Sequence, residues 1–336
     1  MVSEAARALH NAALVIDSHN DTIVNHMRAK LNLDGGPARQ DGAAIVTRFG
    51  QGSGAELQLD FPKMRQAGIN AAFFTVDVTN AKGTHLQYAL DGLGFFLREA
   101  ALSSEDIVIV RRAADITSAQ KEDKLAAVLA IENTDGLDQS IYPLSAFYEL
   151  GVRTLTITHS TRSWAADGCE VENGGGLTAF GKSVVTEMNR LGMLVDVSHL
   201  NDRGFWDTLK HSSAPVIATH SCCRALCGHP RNLTDEQLKE LAAAGGVVGL
   251  TFVPEFVHDA TPTIDGLIDH IVHAIDKAGI DHVALGSDFD GGGTLAEDAM
   301  VFPQITELLL QRGLSEGDVC KVIGLNHLRI LSQVIG

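Results

Sequence analysis

Eight short apolar segments recur along the chain, and segments with helical periodicity separate them. Most of the apolar segments are continuous runs, which is typical of parallel strands that are covered on both faces. We predict strands at Leu14–Asp17, Ala71–Val78, Ala126–Ile131, Thr154–Thr158, Leu194–Ser198, Val216–Thr219, Val247–Phe252 and Val283–Gly286. We predict helices at Leu86–Ala101, Gly176–Leu191, Asp202–Lys210, Asp235–Ala244 and Asp265–Ala278.

This alternation of strands and helices predicts the α/β class, and eight repeats favour a (β/α)8 TIM barrel over an open doubly wound sheet. An open sheet would normally carry a glycine-rich phosphate-binding motif after its first strand, and the sequence has neither GxGxxG nor GxxxxGK[ST]. Glycines suited to left-handed helix caps precede several strands, at Gly68, Gly151, Gly192, Gly245 and Gly279. We therefore predict one barrel domain over residues 1–336, with inserted loops at Leu31–Gln58 and Cys169–Gly176 and closing helices after Pro303.

The charge balance limits the classes of partner. The chain has 26 Lys and Arg against 42 Asp and Glu, a formal net charge of −16, and no basic cluster. We therefore expect neither nucleic acid nor an anionic membrane surface as a partner. The sequence shows no apolar stretch near the ~20 residues of a membrane span and no signal-peptide core. Its five cysteines lack repeated CxxC pairs, so reduced thiols and a cytoplasmic location are expected.

Metal-type ligands occur where the predicted strands end. They are His19, Asp21, Glu132, His159, His199, His220 and Asp288. The carboxyl ends of barrel strands form one face, which is where the active sites of these barrels lie. A single histidine at a strand end is more often a hydrogen-bonded structural residue, but the recurrence predicts one shared site. Imidazole nitrogen and carboxylate oxygen are ligands that zinc and similar ions accept.

The number of ligands favours two metals. In the His19-x-Asp21 motif, the strand period of two points both side chains the same way. Together with Glu132, His199 and His220 they make five ligands, too many for one open catalytic zinc. Glu132 could bridge a pair of ions at the ~3.5–4 Å spacing of binuclear hydrolases.

Several sequence blocks resemble the renal (membrane) dipeptidase family of the amidohydrolase superfamily. They are SHND, NRLGMLVDVSHL, PVIATHSCCRALCGHPRNLTDEQL, GGVVGLTFVPEFV, HVALGSDFDGG and GLNHLRIL, spread from about Val15 to Leu331. The resemblance implies a (β/α)8 barrel with two Zn²⁺ ions per chain, although other divalent ions could serve. It also implies hydrolysis of dipeptides, often including those with a C-terminal D-residue, and homodimers are common among similar proteins.

The resemblance also implies roles for individual residues. His19 and Asp21 would hold one metal, His199 and His220 the other, and Glu132 would bridge them. His159 would contact the substrate near the scissile carbonyl, and Arg231 would bind the substrate carboxylate. Asp288 would act as general base and then acid while a hydroxide held between the metals attacks the peptide bond.

Alternatives remain open for some residues and for the reaction. Asp288 could be a further metal ligand, and Arg231 could be a solvated loop charge. Arg162, beside Trp164 in a block where relatives tend to be Asn-rich, is hypothesised to favour acidic N-terminal side chains of the substrate. The same centre could cleave another carboxylate-bearing amide, such as an N-acyl amino acid or a β-lactam. A barrel that binds metal without catalysis is the third interpretation.

Overall fold

Nine parallel strands form the sheet in the described part of the chain. The structure, a computed structural model, describes residues 2–25, 49–52, 57–81, 83–293 and 295–336. The strands are β1 Ile16–Asn20, β2 Ala71–Asp77, β3 Ile107–Ile109, β4 Leu125–Glu132, β5 Val152–Thr156, β6 Leu194–Asp196, β7 Ile217–Ser221, β8 Val247–Leu250 and β9 Val283–Leu285. Eight of them follow the order β1-β2-β4-β5-β6-β7-β8-β9, and β3 pairs with β4 off this path.

The first and last strands approach each other, so the sheet is a nearly closed barrel. The amide of Asp288 donates to the carbonyl of His19 at 3.0 Å, and the amide of Asp21 donates to the carbonyl of Phe289 at 2.7 Å. Asp17 adds a side-chain link, because its two carboxylate oxygens accept from the amide and hydroxyl of Ser287, each at 2.7 Å. The (β/α)8 TIM barrel prediction is confirmed.

Helices separate the strands and cover the sheet. The described helices are α1 Glu4–Ala12, α2 Phe61–Ala67, α3 His85–Leu102, α4 Ala113–Lys121, α5 Pro143–Leu150, α6 Ala179–Leu191, α7 Asp202–His211, α8 Asp235–Ala243, α9 Pro254–Val257, α10 Ile264–Ala278, α11 Phe302–Gln311, α12 Glu316–Cys320 and α13 Asn326–Val334. The last three are the predicted closing helices. None of the helices described is long and apolar enough to cross a membrane.

The glycine helix caps that the sequence predicts are present in the structure. The five predicted cap glycines all have positive φ, between 72° and 109°. The structure also shows a capping box formed by Thr234 and Gln237 at the start of α8. All five cysteines are free thiols.

Strand β3 is missing from the predicted set of strands. It has three residues, is partly exposed and pairs only with the first residues of β4. A segment this short carries little periodic signal. Most of the predicted loop Leu31–Gln58 lies outside the described residues, although Phe49–Gln51 forms one 3-10 turn.

Gly286, directly after β9, makes room for backbone packing inside the barrel. A Cβ atom at Gly286 would lie 1.8 Å from the carbonyl oxygen of Thr219 and 2.7 Å from Oγ of Ser18. That hydroxyl donates to the carbonyls of Thr219 and Leu285 at 2.6 and 3.0 Å. Strands β1, β7 and β9 therefore meet at Ser18 only because residue 286 has no side chain.

Gly286→Ala should lower the free energy of unfolding by roughly 1–3 kcal/mol, because the backbone around the added methyl group must shift. Gly94→Ala is the matched control, since nothing lies within 4 Å of its added Cβ. Because residue 94 lies in the interior of α3, Gly94→Ala should raise the free energy of unfolding by about 0.5–1 kcal/mol. Urea unfolding monitored by circular dichroism measures both, and equal midpoints for the two variants would contradict the packing described.

Candidate metal centre

Side chains from six strands meet at the carboxyl end of the barrel. His19 lies in β1, Asp21 follows it, Glu132 ends β4, His159 follows β5, His199 follows β6, His220 lies in β7 and Asp288 follows β9. The five predicted metal ligands are all buried, with 1–7% of their surface exposed. The barrel thus brings together residues that are up to 269 positions apart in the chain (288 − 19).

The first group contains His19, Asp21 and Glu132, whose ligand atoms all lie within 4.8 Å of one another. Nε2 of His19 lies 3.8 Å from Oδ2 of Asp21 and 3.6 Å from Oε2 of Glu132. Nε2 of His19 and Oδ1 of Asp21 are buried and have no hydrogen-bond partner among the residues described. A buried polar atom without a partner is costly, so these atoms suit a cation.

The second group contains His199, His220 and again Glu132. Oε1 of Glu132 lies 2.8 Å from Nε2 of His199 and 3.5 Å from Nε2 of His220. The two Nε2 atoms lie 2.8 Å apart. Glu132 therefore presents one carboxylate oxygen to each group, which is the arrangement that a bridging ligand requires.

The carboxylates create a strong demand for positive charge. Burial raises the pKa of Glu132 well above its ordinary value, and His19 opposes this shift while Asp77 and Asp21 add to it. Burial also raises the pKa of Asp21 to about 6. Burial lowers the pKa of His19, but the nearby carboxylates, Glu132 foremost, outweigh it and raise the value to about 10. A proton on His19 thus meets part of the demand that a metal ion would satisfy.

The other two histidines are in the form that binds metals. Burial lowers the pKa of His199 and of His220 well below the ordinary value, and nearby positive groups including Arg231 lower both further. Both rings are therefore neutral at pH 7, with a lone pair available for coordination.

Hydrogen bonds behind the ligands orient them, and the strand-end pattern of the sequence does not indicate these partners. Oγ1 of Thr219 lies 2.8 Å from Nδ1 of His220 and donates to Oδ2 of Asp196 at 2.6 Å. Oγ of Ser160 lies 3.1 Å from Nδ1 of His199. With Nδ1 engaged, each ring presents Nε2 to the centre.

Asp196 lies close enough to His19 and His220 to form a third candidate metal group. Its oxygens are already used, however. Oδ1 accepts from the amides of Ser198 and Thr219, and Oδ2 accepts from the hydroxyls of Thr156 and Thr219. Asp196 therefore acts as a support that joins β5, β6 and β7.

Asp288 lies at the rim of the first group. Its Oδ1 is 4.0 Å from Nε2 of His19, and 15% of its side chain is exposed. The residue has φ 62°, a conformation that few residues other than glycine adopt. A Cβ atom at Gly291 would lie 2.3 Å from Oδ1 of Asp288 and 2.6 Å from Oδ2 of Asp21, so only glycine leaves the space between these two carboxylates open.

His159 and Arg231 line the second group. The ring of His159 stacks on that of His199 with 4.1 Å between centroids. Arg231 is buried, with 3% exposure, and its guanidinium donates to the carbonyl of His220 at 2.9 Å and lies 5.2 Å from the ring centre of Phe256. Its Nε is buried without a partner in the described part of the chain. Arg231 is therefore not a solvated loop charge.

Arg162 lies in a different environment. Its side chain is 71% exposed, and Nε donates to Oδ1 of Asp167 at 2.6 Å. Asp167 also accepts from the amide of Gly175, at the end of the predicted loop Cys169–Gly176. This ion pair offsets part of the positive charge with which Arg162 was hypothesised to favour acidic side chains of the substrate. The role of Arg162 in specificity stays a prediction.

Asp77 is a further acid at this end of the barrel that is missing from the predicted ligands. It ends β2, and its carboxylate lies with the ligand atoms of Glu132 and His159 in a group within 4.8 Å. The strand-end rule could have found it, but the predicted strand Ala71–Val78 runs one residue past it.

Three comparisons relate the chain to known proteins. The sequence model of the membrane dipeptidase family (peptidase family M19) matches residues 3–335. A dipeptidase of Claviceps purpurea is 31% identical over 293 residues, which cover 82% of this chain and 69% of that protein.

Solved structures agree with this similarity. A metallopeptidase of family M19, the dipeptidase AC, is 27% identical with a TM-score of 0.84, covering 96% of this chain and 99% of that one. A metallopeptidase from Rhodobacter sphaeroides, solved with a phosphinate mimic of the dipeptide L-Ala-D-Ala, is 26% identical with a TM-score of 0.83 and the same coverage.

Thr219→Val should weaken metal binding by roughly 10- to 100-fold, because it removes the hydroxyl that orients His220. Competition against a chromophoric chelator measures the affinity. Thr219→Ser retains the hydroxyl and should bind metal like the parent protein, and the exposed Thr186→Val controls for loss of a hydroxyl elsewhere. Equal affinities for the two Thr219 variants would contradict the orienting role.

Proposed function

Because the chain belongs to the membrane dipeptidase family and is a metal-dependent dipeptidase, we propose that it uses two zinc ions to hydrolyse L-Xaa-L-Xaa and L-Xaa-D-Xaa dipeptides. The observation that carries the proposal is the pair of ligand groups that share Glu132. One group contains His19 and Asp21 and the other His199 and His220, so each ion would have three protein ligands. A catalytic zinc site typically has three protein ligands and an open position.

The zinc ions, when bound, would supply a water whose pKa is lowered towards ~7 and would polarise the scissile carbonyl. The unpartnered atoms of His19 and Asp21 and the open space at Gly291 fit such ions. The side chains around them would position the substrate and move protons.

His159 is placed to contact the scissile carbonyl. Burial lowers its pKa, and Arg231 lowers it further while Asp77 opposes the shift. A neutral imidazole can donate one N–H to the carbonyl oxygen as negative charge develops there. Its stacking on His199 keeps the ring beside the second ligand group.

Asp288 is proposed to accept a proton from the attacking water and return it to the leaving amine. Its partial exposure at the rim of the first group places the carboxylate where substrate and water can reach it. Its unusual backbone conformation is held by the hydrogen bond from its amide to His19.

Arg231 is proposed to bind the substrate's terminal carboxylate. A buried guanidinium with a free Nε–H presents donors to a planar anion. A fixed distance between this cation and the metal centre would restrict the enzyme to substrates with one residue after the scissile bond. The bound L-Ala-D-Ala mimic in the Rhodobacter sphaeroides relative supports including substrates with a C-terminal D-residue.

The protein should bind two equivalents of zinc, and removal of zinc by a chelator should abolish dipeptide hydrolysis until two equivalents are restored. Elemental analysis and an amine-release assay measure the two quantities. Asp288→Asn should keep the metal content while kcat falls on the order of 10²- to 10⁴-fold. Full activity at one equivalent would contradict the binuclear proposal, and unchanged kcat in the variant would contradict the role of Asp288.

Arg231→Ala should raise KM for dipeptides and reduce kcat/KM by roughly 30-fold or more, because the substrate carboxylate loses a buried charged partner. Dipeptide amides lack that carboxylate, so the variant and the parent protein should hydrolyse them with similar kcat/KM. A parallel loss on acids and amides would show that Arg231 supports the fold of the site instead of reading the carboxylate.

A further inference from the structure

Asp77 lies on the inner face of the barrel beside the metal centre. The sheet register pairs it with Glu132, and residues paired in this way share one face of a sheet. Thr75, two residues earlier on β2, faces the same way, and its hydroxyl lies 3.5 Å from Nδ1 of His19. Strand β2 therefore directs Asp77 to the interior, and only 5% of its surface is exposed.

Asp77 has little to neutralise it. Oδ1 accepts a hydrogen bond from the amide of Thr79 at 2.8 Å, which holds the carboxylate in place. Among the described residues no Lys or Arg forms an ion pair with Asp77, and the bond from Thr79 is its one hydrogen bond. If Glu132 holds the metals, Asp77 is a buried carboxylate that still lacks a cation.

Asp77 and Arg231 have opposite charges and both lie near His159. A carboxylate oxygen of Asp77 lies within 4.8 Å of a ring nitrogen of His159. His159 stacks on His199, and Arg231 donates to the carbonyl of His220, the other histidine of the second group. His159 is the residue assigned to the scissile carbonyl, so the site has a negative group and a positive group near the point where the peptide bond would lie.

A dipeptide zwitterion has the same distribution of charge. Its α-ammonium nitrogen is two bonds from the scissile carbonyl carbon, about 2.5 Å away given N–Cα and Cα–C bonds of about 1.5 Å. A carboxylate grouped with Glu132 and His159 within 4.8 Å lies at a suitable distance. A basic side chain of the first residue would extend several bonds further.

We propose that Asp77 binds the α-ammonium group of the dipeptide, so that Asp77 and Arg231 recognise the two ends of the substrate. This inference rests on the proposed dipeptide hydrolysis at the same centre. It explains how the enzyme would prefer a free dipeptide over an N-acyl amino acid with the same carboxylate. The competing occupant of Asp77, Glu132 and His159 is a third metal ion.

The test compares L-Ala-L-Ala with N-propanoyl-L-alanine, which differs only in lacking the ammonium group. Asp77→Asn keeps the size of the side chain and an oxygen for the amide of Thr79, and removes the charge. Asp135→Asn is the matched control, because Asp135 is a nearby partly buried acid outside both ligand groups. Zinc content is measured for every protein, and for a poor substrate the inhibition constant replaces KM.

For L-Ala-L-Ala, Asp77→Asn should lower kcat/KM by roughly 10- to 100-fold, mainly through KM, as expected for a lost charged hydrogen bond. For N-propanoyl-L-alanine the same variant should be unchanged or improved, with two zinc equivalents retained. The Asp135→Asn protein should match the parent protein on both compounds.

Four results would overturn the inference. A parallel loss on both compounds would make Asp77 a support for Glu132, and loss of a third zinc equivalent in Asp77→Asn would make it a metal ligand. A defect limited to dipeptides with an N-terminal Lys or Arg would assign it to the side chain instead. Equal hydrolysis of both compounds by the parent protein would reject ammonium recognition while leaving amide hydrolysis intact, whereas no hydrolysis of either would reject the proposed function itself.

Discussion

The site depends on one electrostatic constraint, which is that several carboxylates are buried together at the end of the barrel. Glu132 and Asp21 are both buried, and each has an oxygen without a hydrogen bond among the residues described. Burying unpaired negative charge is unfavourable unless a cation is present. The neutral imidazoles of His199 and His220 add lone pairs directed at the same place. Together these features make a divalent metal the natural counterpart of the site.

Other buried carboxylates in the barrel show what a structural acid looks like. Asp17 and Asp196 are fully buried, as the ligands nearly are, but their oxygens accept hydrogen bonds from serine and threonine hydroxyls and from backbone amides. Asp17 joins β1 to the residues after β9, and Asp196 joins three neighbouring strands. Burial alone therefore does not identify a ligand, whereas buried ligand-type atoms that lack hydrogen-bond partners and cluster together, as at His19, Asp21 and Glu132, indicate one.

The proposed substrate site would extend this logic from metal ions to organic ions. Arg231 is a buried cation whose Nε has no hydrogen-bond partner in the described residues. Asp77 is a buried anion that accepts one backbone hydrogen bond and forms no ion pair with a Lys or Arg among the described residues. A zwitterion of the right length would pair with both groups, and in the proposed function the same electrostatic principle would govern metal binding and substrate recognition.

Much of the fold and most residues of the candidate metal centre could be predicted from the sequence, because the signals are local. Continuous apolar runs indicate buried parallel strands, glycines mark helix ends, and His, Asp and Glu at strand ends point to the face where strands of a barrel converge. The resemblance of the sequence blocks added Arg231, which no strand-end pattern contains.

Only the tertiary structure decided which polar side chains have hydrogen-bond or ion-pair partners. The sequence alone cannot show that Asp196 accepts hydrogen bonds from the hydroxyls of Thr156 and Thr219. It also cannot show that Arg162 forms an ion pair with Asp167. It likewise cannot show that Asp77 lies beside Glu132 on the inner face of the barrel. The physical reason is that hydrogen-bond partners come from different strands, so their geometry exists only once the barrel has closed.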